Sequence, residues 1–167
     1  MEIYLILNLG FKMDTYKKTF ECKNEEDTRK LAYLLAKVCK KGDVFALFGT
    51  LGAGKSTFSR YFIQSLMGNI DVPSPTFTLV QTYSSDDFDI YHYDMYRLKN
   101  YEEAYELGID EAFYNAVNLI EWPEKIKQLL PQKSWNINIS ISGFSRIFEI
   151  TASNDEQLSR LQEIVFE

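Results

Sequence analysis

Apolar residues recur along this chain in two rhythms, one helical and one alternating. Between Asn24 and Gly42, Leu31, Leu34, Leu35 and Val38 return every three or four residues, the spacing that gathers side chains on one helix face. Asn24 is a good N-cap, Glu25, Glu26 and Asp27 suit the positive end of the helix dipole, and Lys40 and Lys41 suit the negative end. Gly42 stops the helix. Residues 43–48 read as a short buried strand, Val-Phe-Ala-Leu-Phe. Residues 55–67 follow as a helix with Phe58, Tyr61, Phe62 and Leu66 at core spacing and Gly68 at its end.

Beyond the loop marked by Pro73 and Pro75, residues 77–83 and 88–95 predict two strands of an antiparallel hairpin around Ser84-Ser85-Asp86-Asp87. Residues 101–107 predict a short helix and 116–122 a strand. Residues 124–130 form another short helix, cut by Pro131. Residues 135–142 and 146–152 pair through Gly143-Phe144-Ser145. A closing helix over 155–165 carries Leu158, Leu161 and Ile164. No repeat or linker interrupts the pattern.

Composition narrows the class. At 167 residues, 46% hydrophobic and 25% charged, the chain suits one folded domain. Its net charge of −6 offers no electrostatic footprint for direct binding of DNA or RNA. Cys22 and Cys39 have no metal-ligand spacing and read as reduced thiols of a cytoplasmic protein. The apolar run over 3–9 is too short to span a bilayer and lacks a basic leader, so no membrane role is expected. Residues 1–12 read as an extension. An upstream start codon, with Met13 the working start, would make them dispensable and leave 13–167 as the domain.

One loop carries specific chemistry. Gly49-Thr50-Leu51-Gly52-Ala53-Gly54-Lys55-Ser56 fits GxxxxGK(S/T) without a gap. Glycines let backbone N–H groups turn inward around phosphates where a Cβ would clash. Lys55 brings positive charge to the β- and γ-phosphates, and the Ser56 hydroxyl is a hard oxygen ligand for Mg²⁺. The helix that starts here aims its N-terminal dipole at the anion. The strand before and the helix after are the context this motif requires. The fold class is therefore α/β: a single P-loop NTPase domain with a mixed sheet, parallel near the phosphate loop, antiparallel elsewhere, and flanked by helices.

Binding alone does not hydrolyse, and three further residues are candidates for the chemistry. Asp94 and Glu121 each stand at the C-terminal end of an apolar strand, where ligands gather in open α/β sheets. Either could serve Mg²⁺ or a water; equally, either could be a solvated strand-end acid. Thr76, in Ser74-Pro75-Thr76-Phe77-Thr78, could sense a γ-phosphate as GTPase switch loops do; turn punctuation is the plainer reading. His92, between Tyr91 and Tyr93, reads as a packing residue. Residues 99–124 hold seven acids against Lys99 alone, the mark of a solvated face or of a dock for a basic partner.

Taken in order, residues 49–57, Ser74-Pro75-Thr76-Phe77-Thr78-Leu79-Val80, His92-Tyr93-Asp94-Met95-Tyr96-Arg97-Leu98, Leu107-Gly108-Ile109-Asp110-Glu111 and Leu119-Ile120-Glu121-Trp122-Pro123-Glu124 resemble the TsaE (YjeE) ATPases. These serve threonylcarbamoylation of the adenosine beside the tRNA anticodon. The resemblance runs from about Thr19 to Leu161. It implies that Gly49, Thr50, Leu51, Gly52, Ala53, Gly54, Lys55, Ser56 and Thr57 hold the phosphates of ATP. It implies Ser56 and Glu121 as Mg²⁺ ligands, Asp94 as a Walker B-like acid and Thr76 as the switch threonine. Trp122 resembles the tryptophan beside the metal-site Glu, and Thr28 and Arg146 resemble residues flanking the nucleotide. The chain departs from the family's frequent Gly-Asp-Leu-Gly-Ala-Gly-Lys-Thr-Thr at Thr50, which removes an acid, and at Ser56, which keeps the hydroxyl.

The family pattern implies an ATPase subunit that resets a TsaD–TsaB complex, which itself holds the tRNA. Five arginines in all, with none in sequence beside the switch-like loop, suit a transition-state cation supplied by the partner. A small-molecule or nucleotide kinase is the alternative, though Arg97, Arg146 and Arg160 form no evident lid. A switch that binds without hydrolysing is the third reading. Which of Asp94 and Glu121 acts as general base stays open at this level.

Overall fold

A computed structural model describes residues 3–6 and 15–166. The remaining residues, including most of the expected extension over 1–12, lie outside the described part. An eight-stranded sheet runs in the order β1-β2-β8-β7-β3-β6-β5-β4. Its strands are β1 Ile3–Ile6, β2 Thr15–Cys22, β3 Val44–Phe48, β4 Val80–Ser84, β5 Asp89–Asp94, β6 Ala116–Glu121, β7 Trp135–Ser142 and β8 Ser145–Ala152. The four central strands, β7, β3, β6 and β5, are parallel to one another. Antiparallel strands flank them: β8, β2 and β1 on one side and β4 on the other. The mixed sheet expected from the sequence is thus observed.

Alternation along the central strands sorts their side chains between two cores. Phe45 and Leu47 of β3, Ile90 of β5, and Val117 and Leu119 of β6 join one cluster with helices α1 (Glu25–Val38) and α2 (Lys55–Met67). Phe62 of α2 packs 5.3 Å from Phe45, and Phe58 5.4 Å from Phe148 of β8, measured between ring centroids. Val44, Tyr93, Ala116 and Ile120 point the other way, into a cluster with helix α3 (Ile109–Asn115) and the 3₁₀ segments Tyr101–Leu107 and Pro123–Leu129. Because successive strand residues alternate faces, His92, Asp94 and Glu121 all fall on the α2 face.

Several expected boundaries move. Helix α1 begins after the Asn24 cap, whose side chain accepts from the Asp27 N–H, but it ends at Val38. Lys40 lies beyond it, with its N–H donating to Asp43. Leu31 and Leu35 are buried as expected, whereas Leu34 and Val38 are only partly so; Thr28, Ala32 and Ala36 complete the inner face. The first strand of the predicted hairpin begins at Val80, because residues 75–78 form a turn and Leu79 takes a left-handed backbone, φ 68°. The closing helix α4, Asp155–Gln162, is shorter than predicted. Helix α3 and strand β2 were not expected. In β2 the inward positions include Lys18, which is buried and donates to the carbonyls of Leu161 and Ile164. An inward lysine hides the alternation that marks a strand.

Candidate functional site

The phosphate loop leaves the C-terminal end of β3 and enters α2. Gly52 and Gly54 have φ of +80° and +112°, left-handed values that a side chain would strain. Gly49 is needed for room instead: a Cβ there would sit 2.9 Å from the Ile139 carbonyl oxygen and 3.0 Å from the Ala53 Cβ. Helix α2 has no side-chain N-cap, which leaves its first N–H groups facing the loop. A glycine-rich turn running into an uncapped helix N-terminus fits a chain of phosphates.

Lys55 is buried under the loop. Its ammonium donates to the carbonyls of Gly49 and Thr50, the latter at 3.0 Å, and lies 4.0 Å from the centre of the Trp122 ring. Burial lowers the Lys55 pKa, against the opposing pull of Glu121, Glu124 and Asp94. Trp122 reaches this position because its backbone is left-handed, φ 56°, immediately before Pro123. The same turn ends β6 at Glu121, one residue earlier than predicted. Tyr96 also packs against Trp122, 4.9 Å between ring centres.

Ser56 Oγ donates to Glu121 Oε1 at 2.7 Å, which ties the first turn of α2 to the end of β6. The second carboxylate oxygen of Glu121 lies 2.6 Å from His92 Nε2, and both side chains are buried. Asp94 stands opposite Glu121 in the parallel register of β5 and β6. Its Oδ2 accepts from Thr76 Oγ1 at 3.2 Å, and its Oδ1 accepts from the Tyr96 N–H at 3.1 Å. The two acids are therefore distinguished by their partners. Glu121 holds the phosphate-loop serine, while Asp94 holds the loop that carries Thr76. Among the described residues no group of three or more His, Cys, Asp or Glu side chains is arranged to cage a metal. Magnesium commonly takes one or two protein oxygens and completes its shell with phosphates and water, and Ser56 with Glu121 fits that donor set.

Thr28 and Arg146, far apart in sequence, line one cavity of about 200 Å³ with Cys22, Asn24, Gly52, Gly54, Thr57 and Phe144. This cavity adjoins the phosphate loop, and Phe144 at its rim is fully exposed. Two features escaped the sequence reading. His92 was read as packing, yet its nitrogen meets Glu121. No arginine stands beside the switch-like loop in sequence, yet the Arg97 guanidinium stacks 4.3 Å from the Phe77 ring centre, one residue from Thr76. Neither contact follows from local pattern, since both join separate segments. Of the acids over 99–124, Glu102, Glu106, Asp110, Glu111 and Glu124 are exposed and only Glu121 is buried.

The family model described as threonylcarbamoyl adenosine biosynthesis protein TsaE matches residues 22–147. The chain is 50% identical over 119 residues to the tRNA threonylcarbamoyladenosine biosynthesis protein TsaE of Rickettsia felis, covering 71% of this chain and 70% of that one. It is 41% identical over 121 residues to the Bacillus subtilis protein of the same description, covering 72% and 75%. The crystal structure of Bacillus subtilis YdiB shares the fold with a TM-score of 0.76 at 32% identity, over 89% of this chain and 94% of that one. A phosphate loop bonded to a strand-end glutamate, within a sheet and sequence shared this widely, makes the chain a member of the TsaE family.

Proposed function

We propose that this chain is a cytoplasmic, Mg²⁺-dependent ATPase subunit of tRNA threonylcarbamoyladenosine biosynthesis that resets a TsaD–TsaB carbamoyltransferase by hydrolysis. The observation that carries the ATPase reading is the Ser56–Glu121 hydrogen bond at the mouth of the phosphate loop. A serine at this place can offer its oxygen lone pair to Mg²⁺ while its O–H donates to the glutamate. Residues 49–57 would hold the phosphates, with Ser56 and Glu121 serving the metal. Bound Mg²⁺ neutralises charge on the phosphates and the leaving oxygen. Lys55 would exchange its carbonyl partners for phosphate oxygens, a stronger charge-assisted pairing. Thr76 and Asp94 are coupled by their own hydrogen bond, which suits a loop that senses the γ-phosphate and an acid that orients water.

The remaining arginines favour a helper subunit over a kinase. Arg160 is committed to a buried pair with Asp43, and Arg29 and Arg60 bind Glu26 and Glu25 on the helices. Arg97 lies on Phe77 and Arg146 in the neighbouring cavity, so no group of arginines is poised to close over an acceptor. The net charge of −6 fits a subunit that meets tRNA only through its partners. Hydrolysis of ATP by the purified chain, with and without TsaD–TsaB, tests the proposal. Slow turnover alone, acceleration of about tenfold or more with the pair, and loss of both in Lys55→Ala are expected. Equal rates with and without the pair would remove the resetting role. Phosphorylation of a metabolite or nucleotide faster than hydrolysis would favour the kinase.

A further inference from the structure

His92 is the chain's one histidine, and its place in the sheet gives it a role that packing does not require. In the β5–β6 register His92 stands opposite Leu119. Glu121 is two residues further along β6, so the two side chains share a face and meet diagonally. Nε2 lies 2.6 Å from Glu121 Oε2, with the side chains 1% and 2% exposed. The Nδ1 atom is buried without a hydrogen-bond partner among the described residues. This asymmetry fixes the proton. With the hydrogen on Nδ1, a buried donor would be orphaned and Nε2 would turn a lone pair onto a carboxylate oxygen; with the hydrogen on Nε2, the ring donates to Glu121.

We infer that His92 is a positioning residue for the metal site: its Nε2–H holds one oxygen of Glu121 so that the other faces Ser56 and the cation. Glu121 then has both oxygens assigned, Oε1 to Ser56 and Oε2 to His92. A glutamate has three side-chain torsions, and a strand end alone leaves the last of them broad. The histidine removes that freedom from beneath, without touching nucleotide. Hydrogen-bond partners of metal-binding side chains commonly matter to affinity by roughly ten- to hundredfold.

The inference rests on the reading of Ser56 and Glu121 as the Mg²⁺ donors, and its test separates the two. Affinity for a non-hydrolysable ATP analogue is measured with Mg²⁺ and in EDTA, in the wild type, His92→Phe, His92→Gln and Glu121→Gln. In the wild type Mg²⁺ tightens binding. His92→Phe keeps the EDTA affinity and loses about tenfold of the Mg²⁺ gain. His92→Gln, whose amide can donate from a similar place, recovers most of it. Adding His92→Phe to Glu121→Gln causes no further loss, because the histidine acts only through that carboxylate. If Mg²⁺ gives no gain in the wild type, the metal-site reading fails and the inference with it. If His92→Phe shows the full wild-type gain, the metal site stands and the role of His92 is refuted. Should His92→Phe not fold, His92→Ala takes its place: a loss that adds to that of Glu121→Gln refutes the inference, and a loss that vanishes in the Glu121→Gln background supports it.

Discussion

At the residue scale, the phosphate loop brings side chains of opposed character into one buried place. Lys55 keeps its ammonium there by leaning on two carbonyls and an indole face, and burial still lowers its pKa. Cys22, on the wall of the adjoining cavity, is moved the opposite way. Burial pushes its thiol, and that of Cys39, up to about 12, with nearby carboxylates adding to the effect. Neither is then a ready nucleophile. The unfolded chain releases these protons near the ordinary value of 9.0 while the folded chain retains them. Stability therefore falls as pH rises from about 9 toward 12, because the unfolded state binds fewer protons. Urea unfolding at pH 8, 9 and 10 should show a smaller alkaline loss in a Cys22→Ala, Cys39→Ala double variant than in the wild type.

At the scale of elements, helix α1 was legible because its cap is local. Asn24 accepts from the Asp27 N–H at 2.9 Å, and three acids fill the first turn. Asn24→Ala should cost about 1 kcal/mol, read from the urea midpoint at unchanged slope. Because Thr28 of α1 lines the cavity beside the phosphate loop, the same variant should also weaken ATP binding slightly. An unchanged midpoint would show that Glu25, bound to Arg60 and Tyr61 of α2, fixes the helix start instead. The elements that escaped notice lacked such local marks. Strand β2 hides a buried lysine on its inner face, and helix α3 follows Gly108, which caps it with a left-handed backbone rather than a side chain.

Across the whole molecule, a buried ion pair ties the closing helix to the start of the central strand β3. Arg160 of α4 forms two hydrogen bonds to Asp43, just before β3, and another to the Val38 carbonyl where α1 ends. Its guanidinium also lies 5.0 Å from the Trp135 ring centre. The Arg160 and Asp43 side chains are only 8% and 9% exposed, so removing one strands the other. Arg160→Ala should destabilise the protein by about 3–5 kcal/mol. Asp43→Asn with Arg160→Met should recover part of that loss. Denaturant unfolding of the three variants measures both effects. A cost below 1 kcal/mol for Arg160→Ala would mean that water reaches Asp43.

What the sequence determined by itself was whatever depends on neighbours along the chain. The phosphate loop, the Asn24 cap, the β7–β8 hairpin and the parallel centre of the sheet all follow from spacing, turn chemistry and strand–loop–helix order. The ordered motifs by themselves also carry the resemblance to TsaE. Only the tertiary structure decided how the site's parts are paired. Thr76 and Asp94 are 18 residues apart, and Ser56 and Glu121 are 65 apart; a turn folded over the end of β5 and a helix packed beside the end of β6 bring each pair together. The β5–β6 register turns His92 from a packing residue into a partner of Glu121, and the turn after β5 places Arg97 against the loop of Thr76. A side chain's type is written in the sequence, but its hydrogen-bond partner depends on which strands lie side by side.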